Sequence, residues 1–213
     1  MKKNFLEYCF NNKFEQNKEQ IKALDLISVF YKKSLVTKTN FLQFFVKKNK
    51  KLGFYLHGDV GVGKSMLLDF FFECQSTSKQ RIHFNQFMIN VHNFRHDYKL
   101  QNKDNSIDAF VKNLKKKTNL IYLDELQVTN IVDAMILGRL FKAIFNENIK
   151  ILITSNLKID HLYKDGLQRD QFLPFISIIK KFCIEHELII DQDYRKSGIS
   201  KLERFFYPVN EKT

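Results

Sequence analysis

The chain has 213 residues, of which 44% are hydrophobic, so it can bury the core of one α/β domain without disulfides. No apolar run exceeds about seven residues and none follows the basic start, so we expect neither a transmembrane segment nor a secretory signal. The formal net charge is +12, yet only six of the 35 basic residues are arginine, on which base and phosphate recognition depends most. The charge alone therefore does not predict nucleic-acid binding.

The three cysteines, Cys9, Cys74 and Cys183, are odd in number and far apart, and no CxxC pair is present. Such spacing is typical of proteins in a reducing compartment. A mitochondrial presequence should be rich in arginine and poor in acidic residues, and the start of this chain is neither. We therefore predict a cytoplasmic location.

Residues 1–40 are predicted to form an N-terminal helical region, because Ile21, Leu24, Ile27 and Phe30 recur at near-helical spacing. Residues 41–213 are predicted to form the core domain. The sequence contains no internal repeat and no linker rich in proline or serine that would divide it further.

A phosphate-binding loop follows the first predicted strand, 53–57. Residues 58–65 read Gly-Asp-Val-Gly-Val-Gly-Lys-Ser and match the pattern G-x-x-x-x-G-K-[ST] at every position, before a predicted helix over 64–75. Glycines let backbone N–H groups face phosphate oxygens, and the helix N-terminus adds a positive dipole end. Lys64 should reach the β- and γ-phosphates and the Ser65 hydroxyl should bind Mg²⁺. The predicted nucleotide-binding residues are Gly58, Asp59, Val60, Gly61, Val62, Gly63, Lys64, Ser65 and Met66.

The next predicted elements are a strand over 80–84, a helix carrying Met88 to Tyr98, a polar loop over 99–106 and a helix over 107–117. His92 and His96 are four residues apart on the first of these helices, with His83 upstream, which would permit a metal site. The sequence has no HExxH metal-binding motif, so we prefer the interpretation that these histidines are structural.

The apolar run 119–125 predicts a strand that ends in two carboxylates. Asp124 suits Mg²⁺, which is commonly held through one or two carboxylates and phosphate oxygens. Glu125 is then placed to orient and deprotonate the attacking water. The alternative is an ordinary Asp-Glu pair that turns the chain after a strand.

A helix over 131–147 leads to a strand over 149–155, which ends at Asn156. An amide at this tip could contact both the γ-phosphate and the water, and resembles the sensor residue of the AAA+ class of P-loop ATPases; alternatively, Asn156 only forms a turn. A helix over 170–182 and a last strand over 182–191 complete the pattern. Alternating strands and helices predict a parallel sheet flanked by helices.

A longer segment resembles one particular ATPase family. Residues 123–137 read Leu-Asp-Glu-Leu-Gln-Val-Thr-Asn-Ile-Val-Asp-Ala-Met-Ile-Leu and are followed by Arg139-Leu140-Phe141. This is similar to the signature of the ZapE-type AAA+ ATPases, the bacterial cell-division ATPase and its mitochondrial relatives. The resemblance runs from about residue 15 to the end, in the order and spacing of the family. It includes the segments 55–58, 63–67, 81–84, 87–88, 91–92, 162–169, 172–176 and 193–195.

The resemblance implies Mg²⁺-dependent ATP hydrolysis, a homo-oligomer that forms with nucleotide, and a protein partner in cell division. It also implies an arginine supplied by the neighbouring subunit. Arg169 stands at the expected place, with Arg139 and Arg195 as alternatives, although Arg169 could equally form a surface salt bridge at a helix start.

The chain departs from the family at Asp59, Val62 and Asn130, and it ends soon after Asp193-Tyr194-Arg195. We therefore expect the small helical lid of AAA+ proteins to be missing or vestigial. This leaves a second functional hypothesis, a nucleotide-dependent binding module or truncated remnant with little or no turnover.

Overall fold

The computed structural model describes residues 1–35, 50–100 and 105–190. Its strands form a single sheet with the order β2-β3-β4-β1-β5, and each pair of neighbours is parallel. The strands are β1 (Gly53–His57), β2 (Lys79–His83), β3 (Leu120–Asp124), β4 (Lys150–Ser155) and β5 (Cys183–Glu187). Because β3, β4 and β1 are adjacent and parallel, the segments that follow them meet at one edge of the sheet.

Helices cover both faces of the sheet. They are α1 (Lys2–Asn11), α2 (Lys18–Leu35), α3 (Lys64–Glu73), α4 (Phe84–Leu100), α5 (Ser106–Lys117), α6 (Ile131–Asn146) and α7 (Arg169–Phe182). A 3₁₀ turn, Ile159–His161, follows β4. The predicted parallel sheet flanked by helices is confirmed.

Successive residues of each strand face opposite sides of the sheet, and this divides the hydrophobic core in two. Tyr55 of β1 packs in the half built with α4 to α7. Its neighbours Phe54 and Leu56 pack in the other half, with residues of α1, α2 and α3. The N-terminal helices therefore lie on the same face of the sheet as the helix that follows the phosphate loop.

Three predicted boundaries differ from the structure for identifiable reasons. The strand β3 ends at Asp124 because Glu125 has a φ of 58°, which an extended strand cannot accommodate. The last strand is shorter than the predicted 182–191, since its partner β1 ends at His57, where the chain turns into the loop. The helix α4 begins at Phe84, directly after β2, because the helical stripe of Phe84, Phe87, Met88 and Val91 is buried.

Several predictions concern residues outside the described ranges. The predicted boundary at residue 40 and half of the polar loop over 99–106 are among them. Residues 191–213 also lie outside those ranges. These residues include Arg195 and the C-terminal residues on which the expectation of a missing or vestigial lid depends. Among the helices that the structure describes, none combines the length and apolarity needed to cross a membrane.

Candidate ATP-binding and hydrolysis site

The phosphate loop turns at Gly58, Gly61 and Gly63, whose φ angles are 149°, 95° and 84°. These values lie in the region that side chains other than glycine rarely adopt. Gly58 is also too crowded for a side chain, because a Cβ there would collide with the backbone carbonyl oxygen of Leu188. A Cβ at Gly63 would lie 2.6 Å from Nε2 of Gln20 and would displace that amide. All three glycines are therefore favoured by the turn, and Gly58 is also required for close packing against the backbone.

Gln20 of α2 supports the loop from its outer side, a contact that the sequence interpretation missed. Its side chain is 1% exposed, and its Nε2 donates a 3.0 Å hydrogen bond to the carbonyl oxygen of Val62. A signal for this role exists, because Gln20 shares the helical stripe of the buried residues Ala23, Leu24 and Ile27. A polar residue on a buried stripe indicates a specific hydrogen-bond partner.

The Lys64 side chain is 7% exposed and connects the loop to the end of β4. Its Nζ donates to the carbonyl oxygens of Gly58 and Asp59, at 2.8 and 2.7 Å, and to Oδ1 of Asn156, at 2.9 Å. The structure thus brings together the predicted phosphate-binding lysine and the predicted sensor amide.

Asp124 is 2% exposed and accepts four side-chain hydrogen bonds. Its Oδ1 accepts from the hydroxyls of Ser65, Tyr122 and Thr154, at 3.0, 2.9 and 2.6 Å. Its Oδ2 accepts from Nη2 of Arg81, at 2.6 Å. Burial alone would raise the pKa of Asp124, but these donors outweigh it and hold the pKa below its ordinary value. The carboxylate is therefore ionised at neutral pH.

Ser65 and Asp124 fit the predicted Mg²⁺ site. Their Oγ and Oδ1 atoms, 3.0 Å apart, are hard oxygen donors of the kind that Mg²⁺ prefers. Arg81, Tyr122 and Thr154 were not predicted to belong to this site.

Glu125 stands at the carboxyl end of β3 in a left-handed backbone conformation, with a φ of 58°. Such a conformation costs about 1–2 kcal/mol for a residue other than glycine. Its backbone N–H donates a 2.8 Å hydrogen bond to Oγ1 of Thr154, which holds it in place. Strained residues that the surroundings hold in this way are concentrated at active sites.

A cavity of about 210 Å³ lies over the phosphate loop. It is lined by Val60, Gly61, Gly63, Lys64, Ser65, Met66, Glu125, Thr154, Ser155 and Asn156. A second cavity of similar volume adjoins Glu125 and Asn156 and is also lined by Leu126, Gln127, Ser155 and Leu157. Most of the residues predicted from separate motifs thus share one cavity, above the buried Asp124.

Other predicted residues lie away from it. Gly58, Asp59 and Val62 do not line the cavity. Arg169, at the start of α7, donates hydrogen bonds of 2.7 and 2.9 Å to the carbonyl oxygens of Leu162 and Asp160.

The remaining residues that the sequence singled out have local partners. Arg139 bonds to Asp108, and Asn130 caps the N-terminus of α6. His92 lies 2.6 Å from Asp133, and within the described ranges no group of three or more His, Cys, Asp or Glu side chains is arranged to hold a metal ion.

The sheet order, the loop after β1, the carboxylates after β3 and the amide after β4 define a P-loop ATPase core of the AAA+ type. The crystal structure of DnaI has this fold, with a TM-score of 0.53 and 19% identity over 84% of this chain and 89% of that one. The model of the AFG1-like ATPase family matches residues 4–213. The chain therefore belongs to the AFG1-like ATPase family.

Two individual proteins are also similar to it. The cell division protein ZapE of Escherichia coli K12 is 36% identical over 162 residues, which are 76% of this chain and 43% of that protein. Lactation elevated protein 1 homolog B of Danio rerio is 35% identical over 175 residues, 78% of this chain and 35% of that protein. The chain thus spans less than half the length of these relatives.

Proposed function

We propose that this chain binds Mg²⁺-ATP in the cavity over the phosphate loop and hydrolyses it slowly by in-line attack of water. The observation that carries the proposal is the convergence of two pairs. Lys64 lies 2.9 Å from Asn156, and Ser65 lies 3.0 Å from Asp124, so the elements for phosphate and metal binding meet beside Glu125. Family membership supports ATPase activity in general.

Each side chain has a role that follows from its chemistry. Lys64 and the backbone N–H groups of the loop offset negative charge on the phosphates, which supplies most of the catalysis in this class. Ser65 and Asp124 would hold Mg²⁺, which would neutralise phosphate charge when bound. Glu125 accepts a proton from the attacking water, and Asn156 orients that water.

No arginine lines the cavity among the residues that the structure describes. P-loop ATPases commonly need such a cation to stabilise the transition state. We therefore propose that a second copy of the chain supplies it, through Arg169, in a homo-oligomer that forms with nucleotide. Under this proposal one chain binds ATP by itself, but turnover needs two.

The substrate of the ATPase is proposed to be a protein assembly of cell division in the cytoplasm, because a relative with 36% identity is named a cell division protein. The alternative is a nucleotide-dependent binding module with little or no turnover, since all the residues proposed to bind ATP lie within one chain. Phosphate release, measured beside ATP binding over a range of protein concentrations, separates the two.

Lys64→Ala should weaken Mg²⁺-ATP binding about 10- to 100-fold, as expected for the loss of charged hydrogen bonds worth about 1.5–3 kcal/mol. Isothermal titration calorimetry measures the change. The control is Lys142→Ala, which removes an exposed lysine from α6 and should leave affinity unchanged. Equal affinity of the Lys64 variant and the wild type would contradict nucleotide binding by this loop.

A further inference from the structure

The Arg81 side chain lies between two carboxylates, one of them the predicted Mg²⁺ ligand. Its Nη2 is 2.6 Å from Oδ2 of Asp124, and its Nε is 3.0 Å from Oδ1 of Asp69 on α3. The Asp124 side chain is 3% exposed, whereas that of Arg81 is 42% exposed. A partly exposed guanidinium thus reaches down to a buried carboxylate.

The two oxygens of Asp124 have different partners. Three hydroxyls contact Oδ1, and the one from Ser65 belongs to the proposed metal site. The guanidinium of Arg81 contacts Oδ2. The negative charge of Asp124, the proposed Mg²⁺ ligand, is therefore already balanced by the positive charge of Arg81.

This arrangement has opposite consequences for the metal-free and metal-bound protein. Without a metal, the Arg81 contact stabilises a buried charge that would otherwise be costly. With a metal, two cations share one carboxylate, and like charges a few ångströms apart repel strongly where the effective dielectric constant is low.

We propose that Arg81 is a positioning residue that sets the Mg²⁺ requirement of the site: it stabilises Asp124 before the metal binds and opposes metal binding. This inference rests on the proposed function, because it takes Ser65 and Asp124 as the metal ligands. Asp69 weakens this opposition to metal binding, because its carboxylate accepts a hydrogen bond from Nε of Arg81 and offsets part of the guanidinium charge.

A purely structural role for Arg81 makes a different prediction. The guanidinium also lies over the ring of Tyr122, 5.3 Å from its centroid, so Arg81 could simply be a packing element. In that case its removal would disturb the site and weaken Mg²⁺ binding together with stability. The electrostatic role predicts that stability decreases while Mg²⁺ affinity increases.

The test uses the full chain with saturating ADP and titrates Mg²⁺ by calorimetry, with thermal unfolding in EDTA as the second measurement. Arg81→Gln should lower the unfolding temperature in EDTA and lower the Mg²⁺ concentration at half-saturation about tenfold. Asp69→Asn should raise that concentration about threefold, because the guanidinium is left to Asp124 alone. Glu73→Gln removes an acidic group from the same helix that pairs with Lys79 rather than with Arg81, and it should raise the concentration less than twofold.

Lys79→Gln is the matched control. It removes one positive charge from the same strand, but the ammonium of Lys79 bonds to Glu73 and to the carbonyl oxygen of Phe72 rather than to Asp124. Its Mg²⁺ half-saturation should stay within a factor of two of the wild type, and a tenfold decrease like that of Arg81→Gln would overturn the proposal by showing an effect of net charge only.

Unchanged or weaker Mg²⁺ binding by Arg81→Gln would also overturn it. Should that variant fail to fold, Asp69→Asn decides, and a Mg²⁺ concentration at half-saturation no higher than that of Glu73→Gln counts against the inference. A wild type whose titration does not respond to Mg²⁺, and which Asp124→Asn leaves unchanged, would refute the metal site itself and the inference with it. The two failures are therefore distinguishable.

Discussion

Glu125→Gln is expected to reduce ATP hydrolysis about 10²- to 10⁴-fold while ATP binding is retained. The amide has the shape of the carboxylate but cannot accept the proton of the attacking water. Binding should persist because Lys64, Ser65 and Asp124, which contact phosphate and metal in the proposed mechanism, are unchanged. Phosphate release and calorimetric ATP titration on the same protein measure the two properties.

Glu125→Gly provides a control for folding. Glycine adopts a φ of 58° freely, whereas a side chain at this angle costs about 1–2 kcal/mol. Hydrolysis should therefore fall as in Glu125→Gln, while the unfolding temperature stays the same or rises. If either variant keeps wild-type turnover, Glu125 is not the general base.

The strands could be predicted well because their signals are local. The runs in β1, β3 and β4 are buried along nearly their whole length, as expected for the interior of a parallel sheet. The phosphate loop has a fixed pattern of residue types, so its position between β1 and α3 could be read directly. Boundaries failed where tertiary contacts decide them. The end of β5, for example, depends on where its partner β1 stops.

The site was predictable where a residue terminates a strand and less so where a contact crosses the sheet. Asp124, Glu125 and Asn156 were singled out because each ends or follows an apolar run, and their roles stay predictions. The contacts of Asp124 with Arg81 and Thr154 depend on β3 lying between β2 and β4, which residue spacing does not specify. Gln20 was overlooked although its helical stripe is visible in the sequence, because its partner is a backbone carbonyl far along the chain.

The structure gives Arg169 a local role that any shared-site proposal must accommodate. Its guanidinium is half-buried and donates to two carbonyl oxygens in the segment that follows Asn156. Two roles are thus to be distinguished: the proposed action in trans, and a local one in which Arg169 only holds the segment after the sensor strand in place.

Arg169→Ala distinguishes these roles. If Arg169 completes the site of a neighbouring subunit, ATP binding by the isolated chain should change little, because each subunit binds with its own loop. Turnover should fall about 10³-fold or more, as for other arginine fingers. Wild-type turnover per chain should also rise with protein concentration, since the active site forms only in the oligomer.

Mixing the inactive variants is the decisive measurement. Combining Arg169→Ala with Glu125→Gln recreates interfaces in which an intact Glu125 faces an intact Arg169 from the other chain, so part of the activity should return. If Arg169 only holds the segment of its own chain, mixing should not restore activity. Each chain in the mixture then lacks either Glu125 or Arg169, so no chain contains both. Turnover that is independent of concentration and not restored by mixing would refute the shared site. Wild type that binds ATP but releases no phosphate at any concentration would establish the binding module instead.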